Sequence, residues 1–220
     1  MFPPLGFDEG PKVEFTAIIL GAGNSLRMGQ PKALKFVMGQ PAWLRLGQLC
    51  IDAGAKKALV MVSADVQAHI SENMPLDSAN HHGIEPIAVP EKLRHRGPIG
   101  SVLHGIRCTS KTEGWLLWPV DHPFVDRDTI KKLTAGTGLV RVPRHEGRRG
   151  HPIYIDGSDR EQLLDLLESG KTLRDYVHLH SDETEDIEVD DPAIQWNCDS
   201  PAAFRTWHAK FEELVKSTGR

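Results

Sequence analysis

Val13-Glu14-Phe15-Thr16-Ala17-Ile18-Ile19-Leu20 runs directly into Gly21-Ala22-Gly23. An apolar run rich in β-branched and aromatic residues that stops at glycines reads as a buried strand feeding a loop. Reading outward, residues 41–53 carry apolar side chains at helical spacing and stop at Gly54, a C-terminal cap signal. Residues 58–63 and 84–89 read as strands. Residues 66–73 read as a short helix, and 98–108 as a longer one. Residues 114–120 are strongly apolar and end at Asp121. Strands alternating with helices imply parallel strands covered on both faces, a three-layer α/β/α sandwich with a mostly parallel sheet. Ligands of such sheets bind beyond the carboxyl ends of the strands. Leu20→Gly21 and Val120→Asp121 are two such ends, so the glycine loop and Asp121 should share one rim.

The second half is less regular. Residues 139–142 and 152–155 read as strands around a polar loop, 143–150. Residues 160–168 and 173–178 read as helices, 181–191 as an acidic turn or edge segment, and 202–216 as an amphipathic closing helix. With 220 residues, the expectation is one compact domain over 13–220, in halves 13–125 and 126–220, after a tail of 1–12.

Composition is that of an ordinary globular protein. The net charge of −4 argues against a nucleic-acid partner. No apolar run approaches the roughly 20 residues of a membrane helix, so no membrane partner is expected. Cys50, Cys108 and Cys198 are distant and odd in number, which fits a reducing cytoplasm and neither a disulfide framework nor a cysteine zinc site. The eleven histidines, of which His81-His82 and His178/His180 lie closest, do not supply a zinc spacing. The tryptophans read as core or interface residues.

The loop from Leu20 to Lys32 carries the chemistry. A Walker A loop fails because five residues separate Gly23 from Gly29 and Gln30-Pro31 follows. A dinucleotide fingerprint fails because Leu26 occupies the third glycine slot. Gly21, Ala22 and Gly23 still let the backbone approach phosphate oxygens closely. Arg27 and Lys32 add positive charge in the same loop, as attack at phosphorus requires. A tight strand-to-helix turn with two solvated cations is the competing reading.

Leu20-Gly21-Ala22-Gly23-x-Ser25-x-Arg27-Met28-Gly29-x-Pro31-Lys32 resembles the signature loop of the molybdenum cofactor cytidylyl- and guanylyltransferases, in the molybdopterin-nucleotidyltransferase-like family. Four later segments are similar to the family in the right order: 97–106, opening Gly97-Pro98; Val120-Asp121-His122-Pro123; Gly147-Arg148-Arg149-Gly150-His151-Pro152; and Asn197-Cys198-Asp199-Ser200-Pro201. The resemblance implies a nucleotide-diphospho-sugar-transferase-like fold and transfer of a nucleotidyl group from an NTP. It implies nucleotide contacts at Leu20, Gly21, Ala22, Gly23, Ser25, Arg27, Lys32, Gly97, Pro98 and Ser101. It also implies Mg²⁺ on Asp121 and Asp199, a catalytic set of Arg27, Lys32 and Asp121, and a molybdopterin-type acceptor held by Arg149, Gly150 and His151.

The donor base is contested within the motifs. Ala22 and the 147–152 stretch resemble the cytidylyl type, while Gly97-Pro98 resembles the guanylyl type; CTP is favoured over GTP here. A sugar- or alcohol-phosphate nucleotidyltransferase is one alternative. A non-catalytic nucleotide-binding assembly protein, with a molybdoenzyme as partner, is another.

Overall fold

The computed structural model describes residues 14–23, 29–74, 83–109, 112 and 114–218. In chain order its first half holds β1 (Phe15–Leu20), a 3₁₀ turn (Lys32–Leu34), the small hairpin β2 (Phe36–Val37) and β3 (Gln40–Pro41), then α1 (Ala42–Asp52), β4 (Lys57–Val62), α2 (Ala64–Asn73), β5 (Ile84–Ala88), α3 (Glu91–Arg94), α4 (Pro98–Cys108) and β6 (Gly114–Pro119). The second half follows with α5 (Arg127–Ala135), β7 (Val140–His145), β8 (Arg148–Arg149), β9 (Ile153–Asp156), α6 (Arg160–Glu168), α7 (Leu173–Leu179), β10 (Thr184–Glu188) and α8 (Pro201–Thr218).

The main sheet runs β10-β7-β9-β6-β1-β4-β5, with β8 paired to β7. β1 lies parallel to both β4 and β6, and β5 and β10 extend the parallel set. β9 runs antiparallel between β6 and β7. Side chains alternate across the sheet with the period of two that strands impose. Phe15, Ala17 and Ile19 join Leu116 and Trp118 in one core, with Trp43 and Leu46 of α1 and Ile130 of α5. Ile18, Trp115 and Leu117 face the other core, with Leu103 of α4, Leu163 of α6 and Tyr176 of α7. The molecule is therefore the expected α/β/α sandwich. Gly54 ends α1 as expected: its φ is +102°, and Ala55 N–H bonds back to the Cys50 carbonyl at 2.9 Å.

Three segments differ from the sequence expectation. α5 is a full helix where none is anticipated; it is polar on average and buries only Thr129, Ile130 and Leu133. The loop expected over 143–150 is largely strand, because β7 continues to His145 and folds back on β8. Glu146 and Gly147 close that hairpin with φ of +48° and +77°, a left-handed pair of the type two-residue hairpins need. Glu-Gly is a weaker signal for it than Asn-Gly. The β2–β3 hairpin is too short to leave a periodic trace.

Candidate active site

β1 and β6 are adjacent and parallel, with Leu20 opposite Pro119. The chain leaves both strands at the same edge of the sheet, so Gly21-Ala22-Gly23 and Asp121 do share one rim. A cleft of about 650 Å³ opens there. Leu20, Gly21, Ala22, Gly23 and Lys32 line it from the glycine loop, Gly97, Pro98 and Ser101 from the start of α4, Asp121 and His122 from the end of β6, and His151 and Asp199 from the second half. Gly21 stays bonded to the sheet through its N–H to the Met61 carbonyl at 2.8 Å. A side chain at Gly23 would meet nothing within 4 Å, so glycine there leaves room on the cleft side rather than relieving a packing clash.

α4 begins on Gly97, whose φ of +65° and ψ of −146° suit glycine alone. Pro98 follows at the first helical position, where its missing N–H costs nothing. Gly97 and Pro98 line the cleft, so the positive end of the helix lies on its wall, an arrangement that favours anions.

Asp121 and Asp199 are 78 residues apart in the chain. Cys198 N–H donates to the Asp121 carbonyl at 2.8 Å, which pins the 197–199 segment against the end of β6. The two carboxylates then converge on one cation. Lys32 Nζ lies 3.4 Å from Asp121 Oδ2 and 2.5 Å from Asp199 Oδ1. Among the described residues no cluster of three or more His, Cys, Asp or Glu side chains forms. Two carboxylates beside a glycine-rich loop fit Mg²⁺, which takes one or two protein carboxylates and completes its shell with other oxygens and water. They do not fit zinc. Cys198 itself is buried, and burial pushes its thiol up to about 12, so it takes no part.

The remaining sequence candidates divide. His151 reaches the cleft and packs its ring 4.9 Å from that of His122. Gly150 sits behind it; its N–H bonds the Pro143 carbonyl, and a Cβ would press to 2.4 Å from the Ile194 carbonyl oxygen. Arg149 does not line the cleft. It is half-exposed on β8 and pairs with Asp186 at 2.5 Å, while Arg148 donates to Gln195 Oε1 at 2.5 Å. Ser25 and Arg27 lie outside the described residues. Arg94, His122 and Leu173 line the cleft without having been singled out. Arg94 precedes Gly97-Pro98 by three residues, which was the available signal; Leu173 reads only as a helix start.

The description "MobA-like NTP transferase domain" belongs to the family model that matches residues 17–184. The chain belongs to this family. The matched span contains Lys32 and Asp121 and ends before Asp199, whose place rests on the geometry above. A curated relative named molybdenum cofactor guanylyltransferase, from Xanthomonas euvesicatoria, is 25% identical over 190 residues, covering 85% of this chain and 90% of its own. Rv0371c from Mycobacterium tuberculosis superposes with a TM-score of 0.72 at 20% identity, over 90% of this chain and 99% of that one. The structure titled as its complex with manganese gives 0.67 at 18% identity, over 90% and 98%. These structures show the shared fold. As a member of the MobA-like NTP transferase family, the protein is a nucleotidyltransferase. No helix among the described residues is long and apolar enough to cross a membrane.

Proposed function

We propose that this MobA-like NTP transferase moves the guanylyl group of GTP onto the phosphate of a molybdopterin-type acceptor and releases pyrophosphate. One observation carries the reading: the Lys32 ammonium lies between Asp121 and Asp199 beside the glycine loop. In the step proposed, an acceptor phosphate oxygen attacks the α-phosphorus, a new P–O bond forms, and the bond to the β-phosphate oxygen breaks. A phosphate monoester has a second pKa near ~6 and is largely dianionic at pH 7, so no general base is required. Lys32 would hold the triphosphate and offset the charge that builds on the leaving pyrophosphate, with Arg27 as its expected partner. Asp121 and Asp199 would hold Mg²⁺, which supplies charge neutralisation at the phosphates when bound. His151 and Leu173 would face the acceptor.

GTP is chosen here over CTP, which the sequence motifs favour. The Xanthomonas relative is named a guanylyltransferase. Both arginines of the 147–152 stretch, a main ground for CTP, are engaged by Asp186 and Gln195 away from the cleft. A pyrophosphate-release assay with GTP, CTP and ATP, Mg²⁺ and molybdopterin or molybdenum cofactor tests the proposal. GTP should be used best, and D121A and D199A should each lower turnover by about a hundredfold or more while melting like wild type. Tight nucleotide binding with no pyrophosphate from any acceptor would reduce the protein to a binding module. Near-normal turnover of either variant would remove that carboxylate from the site.

A further inference from the structure

One ammonium cannot hold a triphosphate and bridge two metal-binding carboxylates at the same time. Lys32 Nζ lies 2.5 Å from Asp199 Oδ1 and 3.4 Å from Asp121 Oδ2. An ammonium donates through three N–H groups and accepts nothing, so it draws on lone pairs of both carboxylates. Mg²⁺ bound by the same side chains draws on the same oxygens, at about 2.1 Å. An ammonium between Asp121 and Asp199 and a divalent ion seated there therefore exclude each other. They compete for the same oxygens, and like charges at so short a separation repel.

The root of this side chain is fixed while its head can move. Lys32 opens the 3₁₀ turn, where its carbonyl accepts Lys35 N–H at 3.1 Å. Beyond the backbone lies a flexible four-carbon stem that carries a point charge. Lys32 shares its cleft with Gly21, Gly23 and the start of α4, the surfaces suited to receive phosphates. A nucleotide thus brings new partners for the ammonium, and a metal ion can replace it between the carboxylates. Metal alone brings the displaced ammonium no such partner, so its binding carries the cost of breaking the Lys32 contacts.

We infer that Lys32 gates the metal position: it holds Asp121 and Asp199 until nucleotide phosphates draw it away, so metal and nucleotide enter together and metal alone binds weakly. The inference rests on the nucleotidyltransferase reading of this site. Mn²⁺ takes the same oxygen ligands as Mg²⁺, and its free form is counted by electron paramagnetic resonance. Titrated without nucleotide, it should bind K32M about tenfold or more tightly than wild type, the scale typical of coupling between sites. D199A on the K32M background should remove that gain. K32Q also lacks the charge and carries the test if K32M melts early. Calorimetric titration of GTP in EDTA follows the ammonium to the phosphates. Wild type should bind metal-free GTP, and K32M should bind it about tenfold or more weakly. No gain in Mn²⁺ affinity in either Lys32 variant would overturn the inference. So would a gain that survives D199A, or metal-free GTP binding no better to wild type than to K32M. Neither titration needs an acceptor or turnover. Both results as expected, with no pyrophosphate released from any acceptor, would sink the transfer reading and leave the gate standing.

Discussion

His122 illustrates how much one side chain adjacent to the site depends on its burial. It is 6% exposed, and its Nδ1, like that of His151, has no hydrogen-bond partner among the described residues. Burial, with the nearby His151, pushes its pKa down to about 4, although Asp121 and Asp199 pull the other way. Burial likewise lowers that of His151. Both rings are therefore neutral at pH 7, held beside the carboxylates without adding charge. The unfolded chain takes up a proton on His122 near pH 6.5, while the folded chain resists until about 4. Between those values the unfolded state binds more protons, so stability rises with pH across this window. Urea unfolding at pH 7.5 and pH 5 should show a loss on the order of 1–2 kcal/mol at the lower pH from this residue. H122Q should show a smaller pH dependence. An identical pH dependence in wild type and variant would mean that the ring is not buried neutral.

At the scale of elements, the 189–199 segment matters more than its lack of regular structure implies. Asp191 is 3% exposed and accepts from Asp126 N–H at 2.8 Å, Thr129 Oγ1 at 2.9 Å and Ala193 N–H at 3.0 Å. It thereby ties the start of α5 to the stretch that ends at Asp199. Trp196 stacks on Trp207 of α8 at 5.2 Å with ring planes 6° apart, which fixes the same stretch from its far side. D191A would leave three donors with no acceptor in a buried place and should cost about 2–4 kcal/mol. Denaturant melts measure this directly. A loss below about 0.5 kcal/mol would show that water replaces the carboxylate and that the tie is dispensable. Little of this is legible in the sequence. Asp126 does accept from Asp128 N–H as a helix cap, yet α5 is polar on average, and a lone Asp reads equally as a turn residue. Asp191, in an acidic run, looks like a solvated residue until the fold closes over it.

Over the whole molecule, a continuous sheet crosses the boundary between the two halves. β9, from the second half, is hydrogen-bonded to β6, from the first, and Phe124 packs at 5.2 Å from Phe211 of α8. Neither half completes its own sheet or its own share of the cleft. Residues 13–220 should accordingly unfold as one cooperative unit. Far-UV circular dichroism and tryptophan fluorescence, which reports Trp43, Trp115 and Trp118 in the first half and Trp196 and Trp207 in the second, should give coincident denaturant transitions. Two separated transitions would divide the chain into independent domains.

Local pattern alone determined the alternation of strands and helices through residue 120 and the strand-end placement of Gly21 and Asp121. Those properties reside in short-range periodicity and in glycines whose backbone freedom is visible in one dimension. Only the tertiary structure decided which polar groups meet. It set Lys32 between Asp121 and Asp199, turned Arg149 outward to Asp186, and brought Arg94 to the cleft wall. A charged side chain carries no mark of its partner. Its partner is set by sheet order and by which loops share a rim, and those emerge only when the two cores are packed.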